Sequence, residues 1–248
     1  MSQSFSLVDS LAVSDLQVYL ARAGRLEDGS VRLIAGSGVL AAYSAILYPH
    51  GLLDQSPTVL GLRTFAIEPG VAFDAVVPMR SMLDRLARLQ ETLSTGPDAA
   101  ATPSEAESDA GAAAESSAAQ GAVQVRLPLE VSTVTWAGIS PPRGGWRPVG
   151  ETTYDVLDAT ARAGIDEVAA AVPTGTGEQL VQRVRSEVWG RPIDGLEFVP
   201  AGAAFAAASL GFLADGESIA LYETGPWTRL TTRRGHVLIR RQAWRLKP

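Results

Sequence analysis

The sequence predicts an α+β fold, an antiparallel β-meander with a C-terminal β-hairpin covered by several helices. Three observations carry this reading. Val31–Leu47 and Thr58–Ile67 are short, apolar and β-rich, and turn residues bound each of them. Met79–Leu93 repeats its apolar side chains at spacings of three and four, the period of a helix with one buried face. Strands and helices come in separate runs instead of alternating, which points away from a parallel sheet.

The first element, Leu16–Leu26, has mixed periodicity and runs into Glu27-Asp28-Gly29, a strong turn signal; it reads as a long strand. Val31–Leu47 reads as a second strand, bulged or bent at Gly36-Ser37-Gly38. Pro49-His50-Gly51 ends it, and Thr58–Ile67 alternates well enough to be a third strand. Pro78 suits a first helical turn, where its missing N–H is not needed. The helix that follows places Met79, Met82, Leu83, Leu86, Leu89 and Leu93 on one face. Arg80, Asp84, Arg85, Arg88 and Glu91 fall on the other, so the apolar stripe is expected to lie on the meander.

Residues 96–122 abandon this patterning. They hold no aromatic residue, no Lys or Arg, and five acids: Asp98, Glu105, Glu107, Asp109 and Glu115. Such a stretch cannot bury enough apolar surface to offset the cost of ordering its backbone, so a disordered acidic insertion is expected. It separates residues 10–95 from residues 123–246. In the second part, Gln124–Ala137 reads as a strand made irregular by Pro128, and Ser140–Pro148 as a turn-rich loop. Glu151–Ala171 reads as a helix weakened near Gly164, and Thr176–Trp189 as a helix opened by a Thr176/Gln179 capping box. Pro200 or Ala201 opens a third helix, whose small side chains suit burial where backbones approach closely. Ser218–Glu223, Trp227–Thr232 and His236–Arg241 then form short strands that turn at Gly225-Pro226 and Arg234-Gly235. A meander with one helix would leave a sheet face bare, so the two parts are expected to complete one domain. No internal repeat is visible.

Composition narrows the chemistry. A hydrophobic content of 46% over 248 residues supports a real core. The chain has no Cys, which excludes disulfides and thiolate metal sites. Its two His, His50 and His236, lie far apart, so a metal site built mainly on imidazole is not expected, although one made of carboxylates stays open; no cofactor is expected. The first residues lack the basic start of a signal peptide, and no apolar run reaches the roughly 18–20 residues of a membrane span. A cytoplasmic protein without a membrane partner is the expectation. Lys247 is the only lysine among 21 basic residues, a bias that suggests a GC-rich genome. The net charge of −6 is unevenly spread: residues 216–248 alone are basic, at +5.

No catalytic constellation emerges. Pro173-Thr174-Gly175-Thr176-Gly177-Glu178 enters a helix but lacks the Lys and the glycine spacing of a phosphate loop. Asp155 and Asp158 share a helix face, the ordinary arrangement of a solvated surface. G-x-S-x-G is absent. The two His are read as loop polarity. Two stretches are richer. Ser140–Pro148 carries Arg143, Trp146 and Arg147 on a Pro-stiffened loop, a composition suited to an anionic or aromatic partner. The C-terminal hairpin carries Arg229, Arg233, Arg234, Arg240 and Arg241. Helices followed by a basic hairpin suggest a winged helix, yet Ala201–Leu213 has no Arg, Lys, Asn or Gln with which to read base edges.

Trp136–Pro148 and Trp227–Arg241 resemble segments of uncharacterised proteins from high-GC actinobacteria. That resemblance implies no activity, cofactor or catalytic residue. The sequence therefore leads to a non-catalytic binding protein that meets an acidic protein partner through the Arg-rich loop or hairpin. The alternatives are a nucleic-acid-associated protein using the same hairpin, and an enzyme or small-ligand binder with a cleft near Thr174–Glu178.

Overall fold

In the computed structural model, eight antiparallel strands of the described residues join in one sheet that spans both parts of the chain. The structure describes residues 3–51, 54, 56–94, 121–132, 134–138, 140–172, 175 and 177–240. The expected acidic insertion lies outside them except for Gly121 and Ala122.

The first part contributes β1 (Ser4–Leu7), α1 (Ser10–Leu26), β2 (Ser30–Gly36), β3 (Val39–Leu47), β4 (Thr58–Ala66), β5 (Phe73–Pro78) and α2 (Met79–Ser94). The second contributes β6 (Val123–Arg126), a 3-10 turn at Thr135–Gly138, β7 (Arg147–Thr153), α3 (Tyr154–Ala171) and α4 (Glu178–Gly190). It continues with β8 (Pro192–Ile193), β9 (Leu196–Pro200), α5 (Ala201–Ser209), β10 (Ser218–Thr224), β11 (Trp227–Thr231) and β12 (His236–Arg240). The sheet order is β5-β2-β3-β4-β12-β11-β10-β7. The fold class is α+β.

Two three-strand meanders, β2–β3–β4 and β10–β11–β12, meet at their last strands. At that seam Leu60 lies opposite Leu238 and Leu62 opposite His236. The two meanders mirror each other about this line, whereas the outer strands do not: β5 follows its meander along the chain and β7 precedes its own. α5 packs on β4 and β12, across the seam. Ala201, Gly202, Ala203, Ala204, Ala206 and Ala207 are all buried there, as a helix of small side chains set close to a sheet requires. One sheet face carries the helices and the larger core, with Leu16, Leu33, Leu86, Leu157, Phe212 and Val237 buried among them. Tyr19 brings a phenol into this core, and its oxygen is satisfied by Ser44 Oγ at 2.8 Å and Ala42 O at 3.2 Å.

The other face holds a smaller core of Tyr43, Leu60, Trp136, Trp227 and Leu238. It is covered by the chain running from β6 to β7, tied on by Val131 N–H donating to Val76 O at 2.8 Å.

Several elements differ from the sequence reading. Leu16–Leu26 is helical. Asp9 caps α1 by accepting from Ala12 N–H at 2.7 Å, and Val13, Leu16, Leu20 and Ala23 form its buried stripe. Val18 at 46% and Leu11 at 76% exposure stand on the outer face and blur that period. Val31–Leu47 is two strands, because Ser37 (φ 52°) and Gly38 (φ 75°) make a two-residue hairpin turn, not a bulge. The strand expected over Gln124–Ala137 stops at Arg126, and the rest crosses the second sheet face. Glu151–Thr153 belong to β7, with Thr153 as the N-cap of α3. Gly164 does not interrupt α3: a Cβ there would fall on the Trp189 ring, so glycine makes room for that indole. α4 has Gly177 as N-cap without a side-chain cap; the expected capping box rests on Thr176, which lies outside the described residues. The basic hairpin is an interior pair of strands, between β4 and β10.

Candidate functional site

Strand alternation sets the site. Trp227, Arg229 and Thr231 of β11 face away from the helices, and their cross-strand partners are Arg240, Leu238 and His236 of β12. Tyr222 of β10 lies opposite Arg229 on the other side. The Arg229 guanidinium is held between two rings, 4.6 Å from the Trp146 centroid and 4.7 Å from that of Tyr222. Burial lowers its pKa, and its buried Nε has no hydrogen-bond partner. Among the described residues no carboxylate pairs with it.

Trp146 reaches this position through a tight loop, closed by its indole N–H donating to Pro142 O at 3.2 Å. Arg32 anchors the loop from below. Its Nε and Nη2 donate to the two oxygens of Asp74 at 2.8 and 2.6 Å. Its Nη1 donates to Ala137 O and Ser140 Oγ, both at 2.7 Å. The Arg32 hydrogen bonds hold the Asp74 carboxyl below the usual carboxylate range, against the opposing effect of burial.

Between this loop and the sheet lies a cleft of about 300 Å³. Ile34, Ala41, Leu62 and Leu238 line it with apolar surface, while Arg143, Trp146, Arg229 and His236 bring charge and rings. Ser37, Tyr43 and Thr64 add hydroxyls, and among the described residues no Asp or Glu lines it. A smaller cavity of about 50 Å³ reaches Trp136 and Asp74 and shares Tyr43, Pro141 and Arg143 with the cleft. His236 sits 3.2 Å from Thr231 Oγ1 through Nδ1. Burial, and then the charge of Arg229, push its pKa down to about 4, so the ring is neutral at pH 7.

Of the residues the sequence singled out, Arg143, Trp146 and Arg229 meet at this cleft. Arg147 does not line it and pairs instead with Glu223 at 3.0 Å. Arg233 and Arg234 occupy the β11–β12 turn, where Arg233 N–H donates to Glu217 Oε1 at 2.7 Å. Arg234 Nη1 lies 3.4 Å from Gly211 O, beyond the end of α5. Arg240 is exposed at the far end of β12, and Arg241 lies outside the described residues. The hairpin is therefore no single basic patch. His236, read from the sequence as loop polarity, opens strand β12 and lines the cleft, while Tyr222, Arg32 and Asp74 were not singled out. The signal for the first two is alternation along β10–β12 in phase with Arg229; nothing local marks the Arg32–Asp74 pair.

Glu178 lines an open groove of about 1060 Å³ along α4 with His50, Asp54, Gln182 and Arg183. Asp155 and Asp158 do not line it, and Asp158 pairs with Arg162 at 2.8 Å. Thr174 and Thr176 lie outside the described residues. Among the described residues no three His, Asp or Glu converge to hold a metal, and no helix is long and apolar enough to cross a membrane.

Residues 1–107 match a domain of unknown function, DUF8010, and residues 141–244 match a second, DUF8185. No curated protein matches the chain. Among solved structures, the DNA polymerase sliding clamp of Caulobacter crescentus is similar at 12% identity and a TM-score of 0.45, over 98% of this chain and 67% of the clamp. DNA polymerase III subunit beta of Borrelia burgdorferi gives 8% and 0.49, over 96% of this chain and 64% of that one. The Helicobacter pylori beta clamp gives 10% and 0.44, over 99% and 68%. The chain thus spans about two thirds of the length of these clamps. At such scores nothing about partners or activity passes from them to this chain.

Proposed function

We propose that the chain is a cytoplasmic binding protein that meets an acidic protein partner on the sheet face carrying Arg143, Trp146 and Arg229. Arg229 carries this reading. A charge withdrawn from water is costly unless paired, and this one is fixed between two rings, lining a cleft without acids. A partner's carboxylate supplies what the described residues do not. Arginine beside aromatic rings is also the composition that dominates protein interfaces energetically.

A displayed peptide library selected on the full chain tests the proposal. Enrichment of Asp and Glu is expected, with binding lost in Arg143→Ala and Arg229→Ala. Loss in Arg233→Ala/Arg234→Ala with Arg229→Ala unaffected would move the contact to the hairpin tip and overturn it. Retention on duplex DNA that falls with salt, lost in the same tip variant, would favour nucleic acid instead.

A further inference from the structure

The cleft is more specific than a charged surface. We infer that it binds one carboxylate carried on a compact apolar group, a small aromatic or branched organic acid. This rests on Arg229 as the anion contact and narrows what the anion is. Size is the first ground: about 300 Å³ stands at the lower end of small-ligand pockets, which run to roughly 1,000 Å³.

Lining chemistry is the second. Ile34, Ala41, Leu62 and Leu238 offer no donors or acceptors from their side chains, so ligand hydroxyls set against them would be left unpaired. Charge is the third. Arg143 and Arg229 line the cleft without an acid, but Arg143 also acts electrostatically on Asp74, so the surplus is nearer one charge than two. His236 adds none at pH 7. A monoanion matches that surplus; a phosphate dianion would bring a second negative charge that it does not meet. The planar guanidinium fork also fits a planar carboxylate.

The probe is 3-phenylpropionate, compared with 3-phenylpropanol of the same shape. Both are titrated into the full chain and followed by amide NMR and calorimetry. The acid is expected to bind saturably, shifting the amides of Ala41, Leu62 and Leu238. The alcohol should bind roughly tenfold more weakly or worse, the loss of one charged hydrogen bond. Arg229→Gln should bring acid and alcohol to parity; Arg143→Gln, at an exposed site, serves if that variant does not fold. Equal binding of acid and alcohol, or no binding of either, overturns the inference. Acidic peptides that bind through Arg229 while the free acid does not would sink the small-acid site and leave the proposed partner surface standing. The acid binding alone would do the reverse.

Discussion

His236 is neutral for a local reason, and its titration reports on the whole cleft. Its folded pKa of about 4 lies below the ordinary value of 6.5. Above pH 6.5 neither folded nor unfolded chain holds the proton, and the contribution is complete. As pH falls from 6.5 towards 4 the unfolded chain takes up a proton that the folded one refuses, so stability declines across that window. His236→Gln should flatten the decline, read from denaturation midpoints between pH 7 and 4. Direct NMR titration of the ring should give a midpoint near 4; one near 6.5 would mean that Arg229 and burial do not act on it. Trp146→Ala removes one ring of the Arg229 sandwich and should cost about 0.5–2 kcal/mol of stability. Arg143, Trp146 and Arg229 were legible in the sequence because Arg and Trp stand out on a Pro-rich loop and in a hairpin. His236 and Arg32 were not, since their roles come from neighbours across strands.

Element by element, the helix α2 and strands β4 and β10–β12 were readable because their periods are clean and turns bound them. α1 was lost because apolar side chains occupy its outer face as well as its inner one. The crossing from β6 to β7 was read as a strand because it is apolar; its apolar residues cover a sheet face instead of pairing along it. Arg32 holds that crossing, so Arg32→Ala should raise deuterium uptake over residues 134–146 and speed tryptic cleavage after the exposed Arg143 while the helical face stays protected. Unchanged uptake would show that Trp136 alone fixes the segment. In α3, Gly164→Ala gains helix propensity but drives a methyl into Trp189. A net loss of about 1–3 kcal/mol in chemical denaturation is expected, and a gain would mean that Trp189 has room to move.

At the scale of the molecule, the β4–β12 seam and α5 join two parts that match separate domain families. The proposal that they fold as one unit expects a single thermal transition, coincident by circular dichroism and tryptophan fluorescence. One domain was expected because a meander with one helix would leave a sheet face bare, while the mirrored meanders have no trace in sequence. The proposed binding face draws on both meanders and the crossing chain. An amide NMR map of the full chain with an acidic peptide from the library tests that most directly. Shifts should gather at residues 34–43, 62–64, 140–146 and 229–238 and vanish in Arg229→Gln. Shifts along α4 or at the Arg233–Arg234 turn, indifferent to Arg229, would contradict it.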